Sequence, residues 1–342
     1  MNSNDLLLLK GDEIDHLLRE RENEILEAVQ LAYQMHAVGN TTMSPDAFLR
    51  FPGMREHFIA KLAHLGGTFN AAGVKWIGAF PSNLARNMER ASATFILNSI
   101  ETGQPTAIME SSIIGAKRTA ASAALAARYL WTENSVKRVG LIGCGPINYE
   151  TLRFLLAVYP MIETVYLYNR TLVRAETFKD IVLHKMKANL NIQIKESCSA
   201  VLQECPIVSL ATTARAPHIT SFTDHVENAV LLHVSLYDLS PDIILKADNI
   251  ADDIDYVCNH NTSVHLAEQK VGHNAFMRTT IGHIVNGDAV PRDTEKPFAI
   301  YNPVGLGILD IAVALLIQRV ALEQKMGTVI EGFLPKPWLE RE

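Results

Sequence analysis

The sequence predicts an α/β fold with a doubly wound parallel sheet and a second α+β domain. From Val136 onward, short apolar segments alternate with helical segments, which is typical of parallel strands joined by crossover helices. Between Gly66 and Glu110, short apolar segments follow one another without long helices, which indicates strands joined by turns. The chain of 342 residues is long enough for two such domains.

The N-terminal part is predicted to begin with a helix over 13–35, because apolar residues recur there at helical spacing. These residues are Leu18, Ile25, Val29 and Ala32. Strands are then predicted at GVKWIGAF, ATFILN and TAIME. The segment GAKRTAASAALAARYL is rich in alanine and leucine, so it predicts a helix over 115–130.

The central segment carries the alternating pattern. It begins with the strand VKRVGLI, the helix PINYETLRFLLAV and the strand TVYLYN. It continues with the helix RAETFKDIVLHKMKANL and the strands IQIKE, CPIVSLATT, AVLLHVS and ADNIADD. A strongly apolar helix over 306–324 follows. We therefore place the doubly wound domain at 116–305, and the second domain at 1–115 together with 306–342.

Composition and charge argue against several classes of protein. The formal net charge of −6 disfavours a nucleic-acid binder, and no apolar run reaches the roughly 18 residues of a membrane span. The segment MNSNDLLLLKGDEID lacks the pattern of a secretory signal. The histidines show no ligand spacing, so no metal is predicted. Scattered cysteines indicate reduced thiols in a cytoplasmic protein; they are Cys144, Cys198, Cys205 and Cys258.

A glycine-rich segment, GLIGCGPIN, follows the first central strand and precedes a helix. In this context Gly143 permits a tight turn, and Gly145 lets the backbone approach a pyrophosphate at the helix N-terminus, as in a Rossmann-type dinucleotide-binding domain. Pro146 and Ile147 begin the helix and are predicted cofactor contacts. Asn148 stands where a third small residue is usual, so looser helix–strand packing is expected there. NAD or NADP is the predicted cofactor.

The second central strand ends at YLYNRT, where a residue that contacts the cofactor ribose is expected. Asn169 occupies the position that Asp or Glu favours for NAD. Its amide can bind a 2′-hydroxyl and does not repel a 2′-phosphate, while Arg170 and Thr171 are able to bind that phosphate. The choice between NAD and NADP stays open.

Further cofactor contacts are predicted at later strand ends, because ligands of such sheets bind at the carboxyl edge. Thr212 and Thr213 end the segment IVSLATT, near the expected nicotinamide ribose, and Ser235 ends AVLLHVS. In NPVGLG, Gly305 allows the backbone to pass close to the nicotinamide, and Asp310 lies in the helix that follows.

A cationic stretch, GVKWIGAFPSNLARNMERAS, lies in a chain that is acidic overall. Lys75 sits in an apolar run, where a charge is costly unless it has a partner. Guanidinium groups bind carboxylates bidentately, and more strongly where water is excluded. Lys75, Arg86 and Arg90 therefore indicate an anionic ligand. A solvated helix face is the alternative for the two arginines.

Four segments in order resemble the ornithine cyclodeaminase/mu-crystallin family over nearly the whole chain. They are VKWIGAFPSN, KRTAASAALAA, GCGPIN and NPVGLGILDIAVA. The resemblance implies a Rossmann domain, a dimerising domain built from both ends of the chain, and a site in a cleft. It also implies a homodimer that acts on a small amino-acid substrate.

The resemblance also implies roles for individual residues. Lys75 matches the active-site lysine of the family pattern K-x-x-x-x-x-P-x-N. Arg118 of RTAA matches the arginine that binds the substrate α-carboxylate, and Arg50 lies close to the position of the other carboxylate-binding arginine. Asp238 of LYDLSPD matches the catalytic aspartate. Structural alternatives are a strand lysine for Lys75, an ion-pair partner for Arg118 and a helix cap for Asp238.

The segments GVKWIG, NMERAS, ILN and AVLLHVSLYDLSPDIILKAD resemble one branch of the family, which oxidises N-(2-amino-2-carboxyethyl)-L-glutamate in siderophore biosynthesis. The implied products are 2-oxoglutarate and L-2,3-diaminopropionate. Arg90 takes a place that cyclodeaminases give to a small polar residue. Together with Arg50, Arg86 and Arg118 it would bind the three carboxylates of that substrate.

The implied reaction begins with hydride transfer from a Cα–H to the nicotinamide. Burial is expected to lower the pKa of Lys75, which would accept the amine proton or steer a carboxylate, while Asp238 would activate the attacking water. Three alternatives stay open: cyclodeamination of L-ornithine to L-proline and ammonia, cyclic-imine reduction or amino-acid dehydrogenation, and NADP-dependent ligand binding of the mu-crystallin type. The acidic segment ADDIDY is assigned no role.

Overall fold

The computed structural model describes residues 4–133, 135–186, 189–259, 262–336 and 338–341. The chain divides into two compact units. We call Met1–Arg118 with Gly307–Glu342 the terminal unit, and Thr119–Leu306 the central unit. Each has a sheet of its own.

The strands in chain order are β1 (Leu6–Leu9), β2 (Thr41–Met43), β3 (Ala47–Arg50), β4 (His57–Leu65), β5 (Ala71–Ala79), β6 (Ala91–Ser99), β7 (Pro105–Glu110), β8 (Arg138–Ile142), β9 (Thr164–Tyr168), β10 (Asn191–Ile194), β11 (Ile207–Leu210), β12 (Val230–His233), β13 (Asp248–Ala251), β14 (Met277–Thr280), β15 (Ala299–Asn302) and β16 (Thr328–Ile330). The α-helices are α1 (Gly11–Leu17), α2 (Glu22–Ala37), α3 (Ser112–Leu130), α4 (Pro146–Val158), α5 (Leu172–Lys185), α6 (Cys198–Glu204), α7 (Pro241–Lys246), α8 (Ile254–Cys258), α9 (Ser263–Val271), α10 (Ile281–Asn286) and α11 (Gly307–Gln324).

The terminal unit contains a mixed eight-stranded sheet in the order β16-β1-β7-β6-β5-β4-β2, with β3 paired to β4. The strands from β4 to β7 form an antiparallel meander, and β1 joins β7 in parallel. The helix α11 packs on β4, on β5 and on α2. Because α11 is apolar on nearly all sides, it is almost entirely buried and forms the centre of this core.

The meander leaves apolar side chains on its other face. Alternate residues of a strand point to opposite faces, so Leu62 and Trp76 lie on the face opposite to Lys75. Leu62 is 46% exposed and Trp76 is 43% exposed, and the Trp76 ring stacks on Phe58 at 5.1 Å between ring centroids. We call the side chains of Phe58, Leu62, Val74 and Trp76 the apolar sheet face.

The central unit contains an eight-stranded sheet in the order β10-β9-β8-β11-β12-β15-β13-β14, in which every pair is parallel. Strands β11, β12, β13 and β15 are buried along their whole length, as expected for a parallel sheet with both faces covered. The strand order reverses direction between β8 and β11. In such sheets, ligands bind outside the carboxyl ends of the strands at this reversal.

Most elements predicted from the sequence are present, and α4 has the predicted bounds. The single helix predicted over 13–35 is wrong, because the structure has two helices there, α1 and α2. The break includes Glu20, whose φ of 59° is incompatible with a continuous right-handed helix. The Leu6–Leu9 run forms the buried strand β1, for which the sequence analysis predicted no element. Within the described residues, no helix has the length and apolar character that crossing a membrane requires.

Candidate active site

A buried cluster of opposite charges lies on the covered face of the terminal sheet. Lys75 on β5 is 4% exposed, and its Nζ lies 2.9 Å from Asp310 Oδ1 on α11. Arg118 on α3 places its Nε 3.3 Å from the same oxygen. We call Lys75, Arg118 and Asp310 the ion triad. With two cations and one carboxylate, it keeps one net positive charge when all three groups are ionised.

Burial and mutual attraction act on these groups in opposite directions. Burial lowers the pKa of the Lys75 ammonium, and although Asp310 opposes this, Arg118 adds to it. Burial would raise the pKa of Asp310, but Arg118 and Lys75 outweigh burial and lower that pKa below its ordinary value. The predicted lowering of the Lys75 pKa therefore has the expected direction and cause. Asp310 stays ionised, so it holds both cations in place.

Two groups of the ion triad remain available for a ligand. Arg118 uses only its Nε on Asp310, and its two terminal nitrogens make no hydrogen bond within the described part of the chain. Asp310 Oδ2 is buried and also has no hydrogen-bond partner among those residues. A guanidinium with two unpaired NH2 groups suits a carboxylate, and an unpaired carboxylate oxygen suits an amine donor.

Because Gly115 on α3 has no side chain, it leaves the space that the Lys75 ammonium occupies. A Cβ at Gly115 would overlap Lys75 Nζ. A second lysine, Lys61 on β4, is the register partner of Lys75 and forms a 2.7 Å ion pair with Asp46. Lys61 therefore brings its own counter-ion, and its charge also helps to lower the pKa of Asp310 and of Lys75.

The other predicted arginines do not join the ion triad. Arg50 ends β3 and is exposed, with its guanidinium 4.3 Å from the centroid of the Phe48 ring. Arg86 and Arg90 are exposed in the segment between β5 and β6. The strand pairing nevertheless relates two of them. Arg50 on β3 pairs with His57 on β4, and His57 pairs with Ala79 on β5. Ala79 in turn pairs with Ala91 on β6, which is next to Arg90. Arg50 and Arg90 thus belong to the same end of the meander.

In the central unit, the glycine loop follows β8 at the strand-order reversal. Gly143 has a φ of +96°, and a Cβ there would overlap the Ala211 carbonyl oxygen at the end of β11, so only glycine fits. Gly145 precedes Pro146 at the start of α4, and a Cβ on it would meet nothing within 4 Å. The backbone is therefore open beside the helix N-terminus, as pyrophosphate binding requires. Ile147 occupies the second position of the helix.

Asn148 fixes the glycine loop. Its Nδ2 donates to the carbonyl oxygens of Ile142 at 3.0 Å and Gly143 at 2.7 Å, and its Oδ1 accepts the Ser209 hydroxyl at 2.7 Å. The side chain is fully buried. The expectation of looser packing at this position is wrong, because three hydrogen bonds replace the contact of a small residue.

The residues after β9, which are predicted to contact the cofactor ribose, lie beside the glycine loop. Asn169 is half-buried, and its Oδ1 accepts the backbone N–H of Cys144 in the glycine loop at 3.3 Å. Its Nδ2 donates to the Thr171 carbonyl oxygen at 3.0 Å. Arg170 and Thr171 are exposed. Asn169 therefore connects the glycine loop to the end of β9, and the exposed Arg170 is able to reach a ligand.

A second buried carboxylate, Asp238, follows β12. It accepts the hydroxyl groups of Thr212 and Ser235, and it lies 2.9 Å from Nε2 of His218. Its own backbone N–H donates to His233 Nε2 at 3.2 Å. Burial alone would raise the pKa of Asp238, but His233, Ser235 and Thr212 outweigh burial and lower the pKa well below its ordinary value. Asp238 is thus a fully hydrogen-bonded carboxylate.

A third buried carboxylate, Asp252, holds the segment before α11. It accepts the backbone N–H groups of Val304 at 3.0 Å and Gly305 at 2.7 Å. Gly305 has a φ of +86°, which favours glycine. Asp252 belongs to the ADDIDY segment, to which the sequence analysis assigned no role. Thr213, which was predicted together with Thr212 to contact the cofactor, is exposed.

Several residues of these clusters could not be found from local pattern. Asp310 was noted only for its place in the last helix, and His218 and Asp252 were not selected. The signal available was a carboxylate in an otherwise apolar helix, LGILDIAVALL, where an isolated charge needs a partner. Within the described ranges, no group of three or more His, Cys, Asp or Glu residues could hold a metal ion.

The parallel sheet, its order and the glycine loop define a dinucleotide-binding protein of the Rossmann class. Residues 8–325 match the ornithine cyclodeaminase/mu-crystallin family, and the chain belongs to that family. It is 28% identical over 334 residues to N-((2S)-2-amino-2-carboxyethyl)-L-glutamate dehydrogenase of Staphylococcus aureus, covering 95% of this chain and 98% of that protein. It is 29% identical over 334 residues to an alanine dehydrogenase of Archaeoglobus fulgidus, covering 96% and 98%.

A solved archaeal structure, described as an alanine dehydrogenase dimer with bound NAD, matches with a TM-score of 0.83 and 27% identity. The match covers 96% of this chain and 99% of that chain. These comparisons confirm the predicted family and fold class. They also confirm the prediction of an NAD(P)-dependent oxidoreductase.

We predict that Gly115→Ala displaces the Lys75 ammonium from Asp310. The helix should tolerate alanine, but kcat/KM for an amino-acid substrate should fall by about tenfold or more, as expected for loss of a charge-assisted hydrogen bond. Gly11→Ala is the control, because its Cβ would make only ordinary contacts, the nearest at 3.7 Å. Equal kinetics for both variants would show that the position of Lys75 is unimportant.

We predict that Asn169→Asp weakens NADPH binding about tenfold and changes NADH binding less than about threefold. The carboxylate keeps the acceptor for the Cys144 N–H but repels a 2′-phosphate. Titration of nicotinamide fluorescence measures both dissociation constants. Asn191→Asp is the control, because it adds the same charge at the exposed start of β10, where the parallel strands have their amino ends. A loss of the same size for both coenzymes would contradict the placement of Asn169 beside the 2′ position.

Proposed function

We propose that the protein oxidatively cleaves a C–N bond of an N-(2-amino-2-carboxyethyl)-L-glutamate-like conjugate, with NAD or NADP as the hydride acceptor. The products would be 2-oxoglutarate and L-2,3-diaminopropionate. The observation that carries this proposal is the ion triad, in which Arg118 is held by Asp310 through Nε and keeps two nitrogens unpaired. The 28% identity to a dehydrogenase of that name supports the choice of substrate.

The charge of the ion triad favours an anionic group of the substrate. Its net positive charge is buried, so it interacts more strongly with a carboxylate than an exposed cation does. Arg118 can donate two parallel hydrogen bonds to the carboxylate. Asp310 Oδ2 provides an acceptor for an amine N–H of the same substrate. An amino acid carries both groups on one carbon.

A second set of cations suits the remaining carboxylates. Arg50 and Arg90 belong to one end of the meander, where Arg50 pairs with His57 on β4. Lys61, which pairs with Lys75 of the ion triad, lies four residues from His57 along β4. Four strand residues span about 13 Å. Long arginine side chains shorten this distance, so an extended amino-acid conjugate can reach from the ion triad toward them. A simple amino acid such as alanine cannot.

The proposed reaction needs a hydride acceptor and a base. A bound nicotinamide would supply the hydride acceptor, and the glycine loop with Asn169 would hold its dinucleotide. Lys75 has a lowered pKa. In its protonated form it contributes to the net positive charge that binds a carboxylate. In its neutral form, in which the ion triad has no net charge, it can take the proton of the substrate amine before oxidation. Water then adds to the oxidised carbon, and the C–N bond breaks. The oxidised carbon leaves in the 2-oxo acid, and the nitrogen leaves in the diamino acid.

The four cysteines are free thiols, which supports the further proposal that the enzyme works in the reducing cytoplasm. The proposed assignment to siderophore biosynthesis follows from the family branch that the segments GVKWIG, NMERAS, ILN and AVLLHVSLYDLSPDIILKAD resemble, as does the choice of substrate. The proposed pathway therefore holds only if the conjugate is the substrate.

The test is a spectrophotometric assay of the purified protein with the conjugate and either NAD or NADP. We expect reduced nicotinamide to form together with 2-oxoglutarate. Formation of L-proline and ammonia from L-ornithine without net reduction would establish a cyclodeaminase instead. Oxidation of reduced cofactor by a cyclic imine would establish an imine reductase, and alanine oxidation an alanine dehydrogenase. Tight cofactor binding without turnover of any substrate would favour a ligand-binding protein.

We predict that Arg118→Ala lowers kcat/KM for the conjugate by about 10²-fold, which corresponds to a charge-assisted bond of roughly 3 kcal/mol. The affinity for cofactor should not change. Arg319→Ala removes an exposed arginine of α11 and serves as the control. Normal kinetics for Arg118→Ala would remove Arg118 from the substrate site.

We also propose that the protein is a homodimer that buries the apolar sheet face. Exposed aromatic and aliphatic side chains on one sheet surface are typical of an interface between protein chains. The archaeal alanine dehydrogenase is described as a dimer, which supports the same assembly here.

Light scattering should give twice the chain mass of 37.8 kDa for the wild type. The variant Leu62→Glu/Trp76→Glu should give the mass of one chain, because a dimer would bury the added carboxylates without partners. Leu322→Glu replaces an exposed leucine of α11 and should stay dimeric. A dimer in the double variant would place the interface elsewhere.

A further inference from the structure

An aspartate–histidine pair lies at the carboxyl edge of the central sheet. Nε2 of His218 is 2.9 Å from Oδ1 of Asp238. The Asp238 side chain has no exposed surface, whereas the His218 side chain is 40% exposed. The buried member therefore cannot meet a ligand without rearrangement, but the histidine can.

The backbone fixes this pair. The N–H groups of His218 and Ile219 both donate to the Asp238 carbonyl oxygen, at 2.9 and 3.0 Å. Ile219 also forms a parallel bridge with Leu239. Although His218 belongs to the long segment between β11 and β12, its position is set by hydrogen bonds to the residues that carry the carboxylate.

The pair lies close to the glycine loop within the central unit. Thr212, which donates to Asp238, follows the Ala211 carbonyl that packs against Gly143. A Cβ at Gly143 would be 3.3 Å from the Thr212 nitrogen. The carboxylate, its histidine and the predicted cofactor loop therefore share the edge at which ligands of such sheets bind.

The hydrogen bonds define which imidazole nitrogen is available. Asp238 is an acceptor, so Nε2 of His218 carries the hydrogen and Nδ1 holds a lone pair. Nδ1 has no hydrogen-bond partner in the described part of the chain. An imidazole that faces solvent with one basic nitrogen, backed by a buried carboxylate, is the arrangement of a general base.

We propose that His218 is a catalytic residue of the oxidoreductase proposed above, and that Asp238 is the positioning residue that orients it. Nδ1 takes one proton from the water whose oxygen bonds to the oxidised carbon. The resulting imidazolium is stabilised by the Asp238 carboxylate. Nδ1 then returns that proton to the amine nitrogen as the C–N bond breaks. The hydroxyl proton left on the same carbon passes to solvent water as the C=O bond of the 2-oxo acid forms, so the histidine ends in its starting state.

Asp238 is poorly suited to carry the proton itself. Its two oxygens already accept hydrogen bonds from Thr212, Ser235 and His218, and its pKa is lowered. A carboxylate in this state neither takes a proton readily nor has one to give. This inference changes the role that the family resemblance implies for Asp238, from proton transfer to orientation of His218.

The first test separates proton transfer from structure. His218→Gln can keep a hydrogen bond to Asp238 but has no basic nitrogen. We expect kcat to fall by about 10²-fold or more while KM changes less than about threefold. In His218→Ala, added imidazole should restore part of the lost turnover. His225→Gln, on the same segment between β11 and β12, is the matched control and should keep wild-type activity.

Turnover by His218→Gln at the wild-type rate would overturn the proposal, and so would the absence of rescue by imidazole. These assays use whichever substrate of the panel above the wild type turns over, so they do not require that the conjugate is the substrate.

A second test does not depend on turnover. Diethyl pyrocarbonate should modify His218 Nδ1, as read by mass spectrometry of the peptide that contains it. Saturating NADH should slow this modification at least about fivefold, whereas the rate at exposed His16 on α1 should not change. Equal modification of His218 with and without NADH would overturn the proposal, even if the wild type turned over none of the substrates. Failure of the wild-type assay together with protection by NADH would contradict only the proposed function.

Discussion

The ion triad is the interaction on which the terminal unit depends. Asp310 must pair with Lys75 and Arg118, because an unpaired charge in this apolar interior would destabilise the fold by about 3–5 kcal/mol. The three residues come from β5, α3 and α11, so the two ends of the chain must meet before any of them is paired. The same pairing leaves one positive charge, together with unpaired atoms of Arg118 and Asp310 that can bind a ligand. Stability and binding therefore rest on one carboxylate.

Three of the buried carboxylates act in a similar way. Asp310 holds two cations, Asp238 holds a histidine, and Asp252 holds the backbone of the segment that contains Gly305. In each case the carboxylate has little or no exposed surface, and the group that it holds is the one able to meet a ligand. Burial strengthens these hydrogen bonds and removes competition from water. Within each unit, the buried carboxylate thus fixes the position of the group that it holds.

The sequence predicted what depends on local pattern. The bounds of α4, the tight turn at Gly143 and the burial of Lys75 follow from apolar periodicity and from glycine in a strand–helix turn. Pairing between distant residues was beyond that reasoning. Asp310 lies 235 residues from Lys75, and the bonds of Asn148 to Ser209 depend on the strand order. The break at Glu20 was missed because apolar spacing continues across it, so periodicity alone could not separate α1 from α2.

Within this family, one scaffold supports several reactions, and the arrangement of charges suggests why. Once a substrate amine has been oxidised, the outcome depends on which nucleophile reaches the oxidised carbon: water, an amine of the same molecule, or a returning hydride. A water molecule needs a base at the carbon, whereas an internal amine needs room for a ring to close. For this chain we propose that the exposed His218 imidazole, backed by Asp238, acts as such a base, and that Arg50 and Arg90 hold an acidic arm extended so that it cannot fold back. Both features favour hydrolysis over cyclisation, which is the physical reason for preferring C–N cleavage to proline formation.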